Sequence, residues 1–473
     1  MNTEEIKHRA VRSVIALTAR TIFLQLVSVG AFFLLGIFLS PKAIGIFIIV
    51  SALIRIFSLF TDVGLGAALI QKKEDLDDED LKTTFFIQEI LVVLAILLGL
   101  LVTPWVVKYA SLSPDGVFLY RVLLLTLFIS SLKVIPSILL ERKLAFEVQI
   151  IPQILETLVF NVLVVFLAFK GFEVAAYAWA FLASAIVSLP VYYFLSPWRI
   201  ALGFSWSRAW KLLSYGLQFQ GKNVLAVIKD DLLTFFLSGI VGSVGIGYWG
   251  WAQRWAYSPF RLIVDSVTKV TFPAYSRIQD DLELLKRGIE KSLFAVSSIL
   301  FPILAFASVF ISSLIHLIPR YAKWEPALPS FYLLCAQAVI SAVSSILINV
   351  LDATGHVKTT LRLMVMWIIL TWVLTILAVT RFGFTGIAFA QLLTAFTIVI
   401  TFILVRRIVP FNFIGPVFKP VIAVMISIIP VLVFTPNVLT GLIGAIIYVG
   451  AMLILARRET FEVLSLIRKA YKK

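Results

Sequence analysis

Cysteine is nearly missing. Cys335 stands alone among 473 residues, which excludes a disulfide framework and a cysteine-ligated metal. Histidine is scarce as well, and His8, His316 and His356 lie too far apart for a zinc-binding spacing. Charged residues make up only 14% against 60% hydrophobic ones, and mean hydropathy is +1.01, which excludes a soluble globular domain. The apolar runs are continuous rather than alternating, so a membrane barrel is excluded too. Glycines occur in SGIVGSVGIGYWG, but without the strand, lysine and hydroxyl context of a phosphate-cradling loop. Nucleotide-driven work therefore has no module here. Long outer loops are also lacking: the connections near 104–116 and 316–326 run to about a dozen residues, too little for the acid–base residues of a membrane glycosyltransferase or ligase.

What is present is a series of apolar windows. A helix needs roughly 20 apolar residues to cross a hydrocarbon core about 30 Å thick, and only helices or closed barrels satisfy the backbone there. The windows predict an all-α polytopic membrane protein with about 14 transmembrane helices, near 14–39, 41–65, 83–103, 117–139, 148–169, 173–195, 214–238, 243–265, 290–315, 327–349, 361–380, 384–405, 416–434 and 438–456. The first run is too long for a cleaved signal and reads as a permanent helix. An even count places both termini on one side. Of the basic residues outside these windows, 27 fall on that side and six on the other, so both termini are expected in the cytoplasm of a cell (inner) membrane. The net charge of +15 follows from this bias and suits anionic membrane lipids; no nucleic acid partner is implied.

Eight cations remain within or beside the helices: Arg20, Arg55, Arg121, Lys133, Lys222, Lys229, Arg254 and Arg261. A charge at the centre of a spanning helix costs at least about 2.5 to 3.5 kcal/mol, so each should face a partner or a wet cavity. Arg20, Arg55, Arg254 and Lys222 are the candidate substrate-binding set, because guanidinium groups hold phosphate bidentately and stay charged when desolvated. The alternative is that each is neutralised by a carboxylate, as Arg55 by Asp62, and only fixes packing. Asp62, Glu89, Glu156, Asp230, Asp231 and Asp265 are candidates for H+ or Na+ coupling or for ion pairing, with Lys229, Asp230 and Asp231 expected to pair among themselves. Neither a catalytic residue, a metal nor a cofactor is expected.

An internal repeat supports this set. SPKAIGIFIIVSALIRIFSLF followed by KKEDLDDEDLK in the first half parallels GSVGIGYWGWAQRWAYSPF followed by RIQDDLELLK in the second, with Gly45 aligned to Gly247. Six helices separate the copies, so the halves share one orientation. The expected organisation is a six-helix lobe over 1–200, a second over 201–410, a central cavity between these pseudo-symmetric lobes, and helices 13 and 14 with a basic tail over 411–473. Pro273 is expected to break helix 8 from a charged amphipathic segment. FSWSRAWKLLSYG at 204–216 reads either as an interfacial helix or as the start of helix 7.

TDVGLGAALIQKKE after helix 2, GSVGIGYWGWAQRW in helix 8, SPFRLIVDSVTKVTFPAYSRIQDDLELLKRGIEKS after it and LDATGHVKTTLR after helix 10 resemble the polysaccharide transporter family of the multidrug/oligosaccharidyl-lipid/polysaccharide exporter superfamily. The resemblance extends to about residue 405, and FPAYSRIQDD is its most specific piece. It implies two six-helix bundles and alternating-access movement of a polyprenyl-pyrophosphate-linked oligosaccharide from the cytoplasmic to the outer leaflet for cell-surface polysaccharide synthesis, without enzymatic chemistry. Family cavity arginines on helices 1, 2 and 8 match Arg20, Arg55 and Arg254. Glycan-assembly proteins would be partners. The runner-up readings are an ion-coupled multidrug exporter of the same superfamily and, in a different class, a membrane-embedded glycosyltransferase or ligase.

Overall fold

The computed structural model describes Thr21 and residues 23–462 except Asp62, Lys73 and Thr435, and leaves aside the side chains of Tyr215, Leu217, Gln218, Phe219, Lys222 and Val438. Among the described residues there are helices and no strands. In chain order they are α1 (Phe23–Phe38), α2 (Pro41–Thr61), α3 (Leu65–Gln71), α4 (Asp78–Ala110), α5 (Pro114–Ser131), α6 (Val134–Arg142), α7 (Phe146–Phe169), α8 (Glu173–Leu195) and α9 (Trp206–Val227). A π-turn, Ile228–Leu232, then leads into α10 (Leu233–Ile278), followed by α11 (Leu282–Leu317), α12 (Leu328–Ala353), α13 (Val357–Phe382), α14 (Thr385–Ala395), α15 (Ile398–Ile408), α16 (Ile414–Val433) and α17 (Val438–Leu455). Among the described residues ten helical runs are long and apolar enough to cross a membrane, α14 and α15 counting together as one, and α1 and α17 are shorter apolar helices. Each expected span has a helix in the described residues. The chain divides into two compact units, one ending at Gly247 and one beginning at Tyr248.

The helix ends follow local chemistry. Asp77 caps α4: its carboxylate accepts from the Asp80 N–H at 2.9 Å, while Asp80 accepts from the Asp77 N–H at 3.3 Å. Three acids in the first turn then suit the helix dipole, which is why α4 begins several residues before its apolar window. Asp281 starts α11 early in the same way. Gly355 stops α12 with φ of +81°, as the LDATGHVK pattern requires.

Two expectations change. Pro273 does not break the chain: α10 runs through it to Ile278, while the real discontinuity is Gly242, with φ of 68° and ψ of 174°. Packing re-satisfies the carbonyl freed by a proline, whereas a left-handed glycine re-aims the whole backbone. The two readings of 204–216 narrow to one, the start of helix 7, because α9 is continuous from Trp206, with Trp206 and Trp210 exposed at 73% and 68%.

In the first unit α2 packs against the α9–α10 run at two glycine contacts. A Cβ on Gly45 would lie 1.7 Å from the Ser243 carbonyl oxygen, and one on Gly247 would lie 1.9 Å from the Pro41 carbonyl oxygen. The two glycines aligned by the repeat therefore touch each other. Toward the other end of α2, Gly64 meets Gly216 backbone to backbone, a Cβ falling 2.5 Å from the Gly216 oxygen. In the second unit Trp251 stacks on Trp324 at 5.2 Å, both fully buried. Asn349 Nδ2 donates to Thr271 Oγ1 at 2.6 Å and ties α12 to α10.

The end of the described chain docks through ions. Lys419 pairs with Glu459, and Glu462 takes Lys291 at 3.0 Å and Arg458 at 3.2 Å. Burial pushes the Glu459 carboxyl up, but the Lys419 ammonium outweighs it and holds the group below the usual range; Lys291 and Arg458 hold Glu462 below its own.

Two outcomes follow. Replacing Gly45 with valine overfills a backbone contact and should cost roughly 3 kcal/mol or abolish folding, while Gly30→Ala, with open space around it, should leave the unfolding temperature in detergent unchanged. Because the folded values of Glu459 and Glu462 are depressed, their contribution is complete above about pH 4.5 and is lost as pH falls through those lowered values. Hydrogen exchange at residues 456–462, corrected for intrinsic rate, should rise only in that acidic window.

Candidate functional site: charges within the helical units

The π-turn at Ile228–Leu232 inserts an extra residue into the α9–α10 run and turns two adjacent acids to different neighbours. Asp230 pairs with Lys229 at 3.4 Å. Asp231, whose side chain is only 10% exposed, faces α2 instead, and its Oδ1 accepts from Arg55 Nε at 2.6 Å. The expected mutual pairing of Lys229, Asp230 and Asp231 is thus only half met. The carboxylate seen on Arg55 comes from 176 positions away; the Asp62 alternative lies outside the described residues.

This contact leaves most of the guanidinium unused. Arg55 is 54% exposed, and among the described residues its two terminal nitrogens donate to no protein group. An arginine engaged through Nε alone keeps its flat Nη face available, the edge that meets phosphate bidentately.

A second polar cluster surrounds a break in the fourth expected span, which stops at Ser131 and restarts at Val134 as α6. Lys133 lies in the break and is buried. Its ammonium donates to both Glu156 oxygens on α7 at 3.1 Å and to Ser188 Oγ on α8 at 3.0 Å. Tyr193 on α8 donates to the Leu132 carbonyl at 3.0 Å. Glu89 on α4 borders the same break, beside Ser131. Glu156 is therefore held in an ion pair.

At one end of the unit Arg208 on α9 grips the start of α4, reaching Asp77 at 2.8 Å, Glu79 at 3.0 Å and Asp80 at 2.7 Å. Arg142 holds the Leu69, Lys72 and Glu74 carbonyls at 2.7, 2.8 and 2.9 Å. Neither arginine was a candidate from sequence, since nothing local distinguishes a loop cation that grips an acidic turn.

Arg254 belongs to the second unit, on the part of α10 after Gly242, and its carbonyl accepts from Ser258 Oγ at 2.6 Å. Arg261 and Asp265 follow about two and three turns further on, both exposed, with Arg261 and Lys269 acting on the Asp265 carboxylate. Arg20, Asp62 and the Lys222 side chain lie outside the described residues.

Comparison with known proteins places this arrangement. Residues 34–329 match the model of the family described as polysaccharide biosynthesis protein. The chain is 27% identical over 194 residues to the lipopolysaccharide biosynthesis protein WzxC of Escherichia coli (strain K12), an alignment covering 39% of each chain. It is 23% identical to the succinoglycan biosynthesis transport protein ExoT of Rhizobium meliloti (strain 1021), over 67% of this chain and 64% of that one. Among solved structures it resembles the lipid II flippase MurJ in an inward closed conformation, with a TM-score of 0.74, 15% identity and coverage of 94% and 99%. An inward-facing multidrug resistance MATE transporter superposes with a TM-score of 0.64 at 18% identity, over 84% of this chain and 98% of that one. These likenesses establish the fold, and the family match over more than half of the sequence establishes the lineage: the chain belongs to the polysaccharide biosynthesis protein family.

Proposed function

We propose that this protein is a flippase that moves a polyprenyl-pyrophosphate-linked oligosaccharide from the cytoplasmic to the outer leaflet of the cell membrane by alternating access. The observation that carries the reading is Arg55, a half-exposed guanidinium on a spanning helix, held by one carboxylate through Nε and, among the described residues, open at its other nitrogens. Dragging an oligosaccharide through hydrocarbon strips its hydroxyls at about 1 to 3 kcal/mol each and buries a pyrophosphate, a barrier of tens of kcal/mol. Cationic groups along a hydrated path replace those lost interactions. Arg55 and Arg254 bind the pyrophosphate in this reading, with Arg20 and Lys222 as further members of the set. Both termini face the cytoplasm, the coupling ion is H+ or Na+, and glycan-assembly proteins supply and receive the substrate. No covalent chemistry is involved. The names of the E. coli and R. meliloti relatives and the fold shared with a lipid II flippase support this reading over a drug exporter, which would favour an acidic rather than a cationic path.

The test is to reconstitute Arg55→Ala, Arg55→Lys and Arg254→Ala and to measure how much lipid-linked oligosaccharide becomes accessible on the far side of the vesicle. Loss of a charge-assisted phosphate contact worth about 1.5 to 3 kcal/mol should slow movement roughly ten- to hundredfold in each alanine variant, with partial recovery in Arg55→Lys. Wild-type rates in both alanine variants, at equal protein levels, would reject the site.

A further inference from the structure

Glu89 is the described acid whose position demands an explanation. Both its carboxylate oxygens are enclosed and accept no hydrogen bond, and among the described residues no cation pairs with it. Ser131 stands within hydrogen-bond reach of it, and with the Ser131 hydroxyl donating to the Phe128 carbonyl at 2.7 Å, the contact between the two is satisfied when a protonated Glu89 donates to the Ser131 oxygen. The Tyr193 hydroxyl, also within the field of Glu89, donates to the Leu132 carbonyl. The Lys133 ammonium spends its three donors on Glu156 and Ser188.

The remaining charges on the elements around α4 are accounted for as well. Arg55 of α2 lies on Asp231; Lys72, which follows α3, and Arg208 of α9 lie on Asp80 at the far start of α4; and Arg121 of α5 is exposed. An ionised carboxylate in this setting would face lone pairs and apolar walls, which is the costly way to bury a charge. The neutral acid fits, because its own O–H donates to the free lone pair of Ser131 Oγ. A hard cation in place of that proton would need a shell of oxygen ligands, whereas one oxygen neighbour is at hand.

The setting adds a second, independent feature. The helical run that Glu89 borders tightens at Leu132–Lys133, where the Lys133 N–H turns to the Ser130 carbonyl, and polar groups from α4, α7 and α8 converge on that turn between Ser131 and Val134. We infer that Glu89 is a proton-exchange site: the carboxyl holds a proton while packed against the Ser131–Lys133 break and releases it to water when α4 and the break part. The proton carried is the coupling ion of the transport cycle, a role that rests on the flippase reading above.

The experiment uses the full-length protein in liposomes and has two arms. Dicyclohexylcarbodiimide reacts with protonated carboxyls in apolar surroundings. It should label the Glu89 peptide at pH 7, label it progressively less as pH rises, and spare Glu156, both of whose oxygens are taken up by the Lys133 ammonium. Sodium at constant pH should not protect. In the second arm, oligosaccharide movement under an imposed pH gradient is compared between wild type and Glu89→Gln, the isostere of the protonated acid. The gradient should accelerate wild type and leave the variant unchanged. An unlabelled Glu89 at pH 7, protection by sodium, a wild type indifferent to the gradient, or a variant that responds as wild type does would each overturn the inference. If the glutamine variant fails to fold, labelling of the wild type decides. A wild type that labels at Glu89 yet moves no lipid-linked oligosaccharide under any condition overturns the transport reading and leaves the proton site standing.

Discussion

A charge set in an apolar helix has to be answered from inside the protein, and the first unit is organised by how its charges are answered. Arg55 on α2 and Asp231 at the π-turn meet at 2.6 Å across two helices that are otherwise joined by glycine contacts. The close approach at Gly45–Gly247 and Gly64–Gly216 leaves no room for side chains, so backbone rests on backbone and the ion pair lies at a fixed depth between two pins. The π-turn supplies the extra residue that turns Asp231 toward α2 while Asp230 stays with Lys229.

The same logic governs the α5–α6 break. The tightened turn at Leu132–Lys133 presents a carbonyl and a lysine, and each is met by partners from other helices: Tyr193 for Leu132, Glu156 and Ser188 for Lys133. Among the described residues at this turn, Glu89 is left without a donor. Two interruptions in otherwise regular spans thus concentrate the polar chemistry of the unit, one around a cation with open valences and one around an acid with none of its own.

The helices themselves were legible from composition, because twenty-residue apolar windows have no other stable form in lipid and because caps such as Asp77, Asp281 and Gly355 mark their ends. The glycines that the repeat aligned turned out to be in contact, so that pattern reported a real crossing. What local sequence could not reveal is which charge meets which. Asp231 lies 176 positions from Arg55, and the nearer acids of helices 2 and 7 were the natural guesses. Pro273 read as a break because the cost of a helical proline is visible in sequence while the packing that offsets it is not. Gly242, one glycine among several in SGIVGSVGIGYWG, carried no mark that it, within that stretch, takes the positive φ.

The central claim is that the Arg55–Asp231 pair does more than hold α2 to the π-turn, since the guanidinium also receives the substrate's phosphates. Exchanging the two residues, Arg55→Asp together with Asp231→Arg, keeps the pair and moves the open cation to the other helix. The account predicts an exchanged protein that unfolds at the wild-type temperature in detergent yet moves lipid-linked oligosaccharide no faster than Arg55→Ala. Wild-type movement by the exchanged protein would show that the pair is a packing device and that phosphate is met elsewhere.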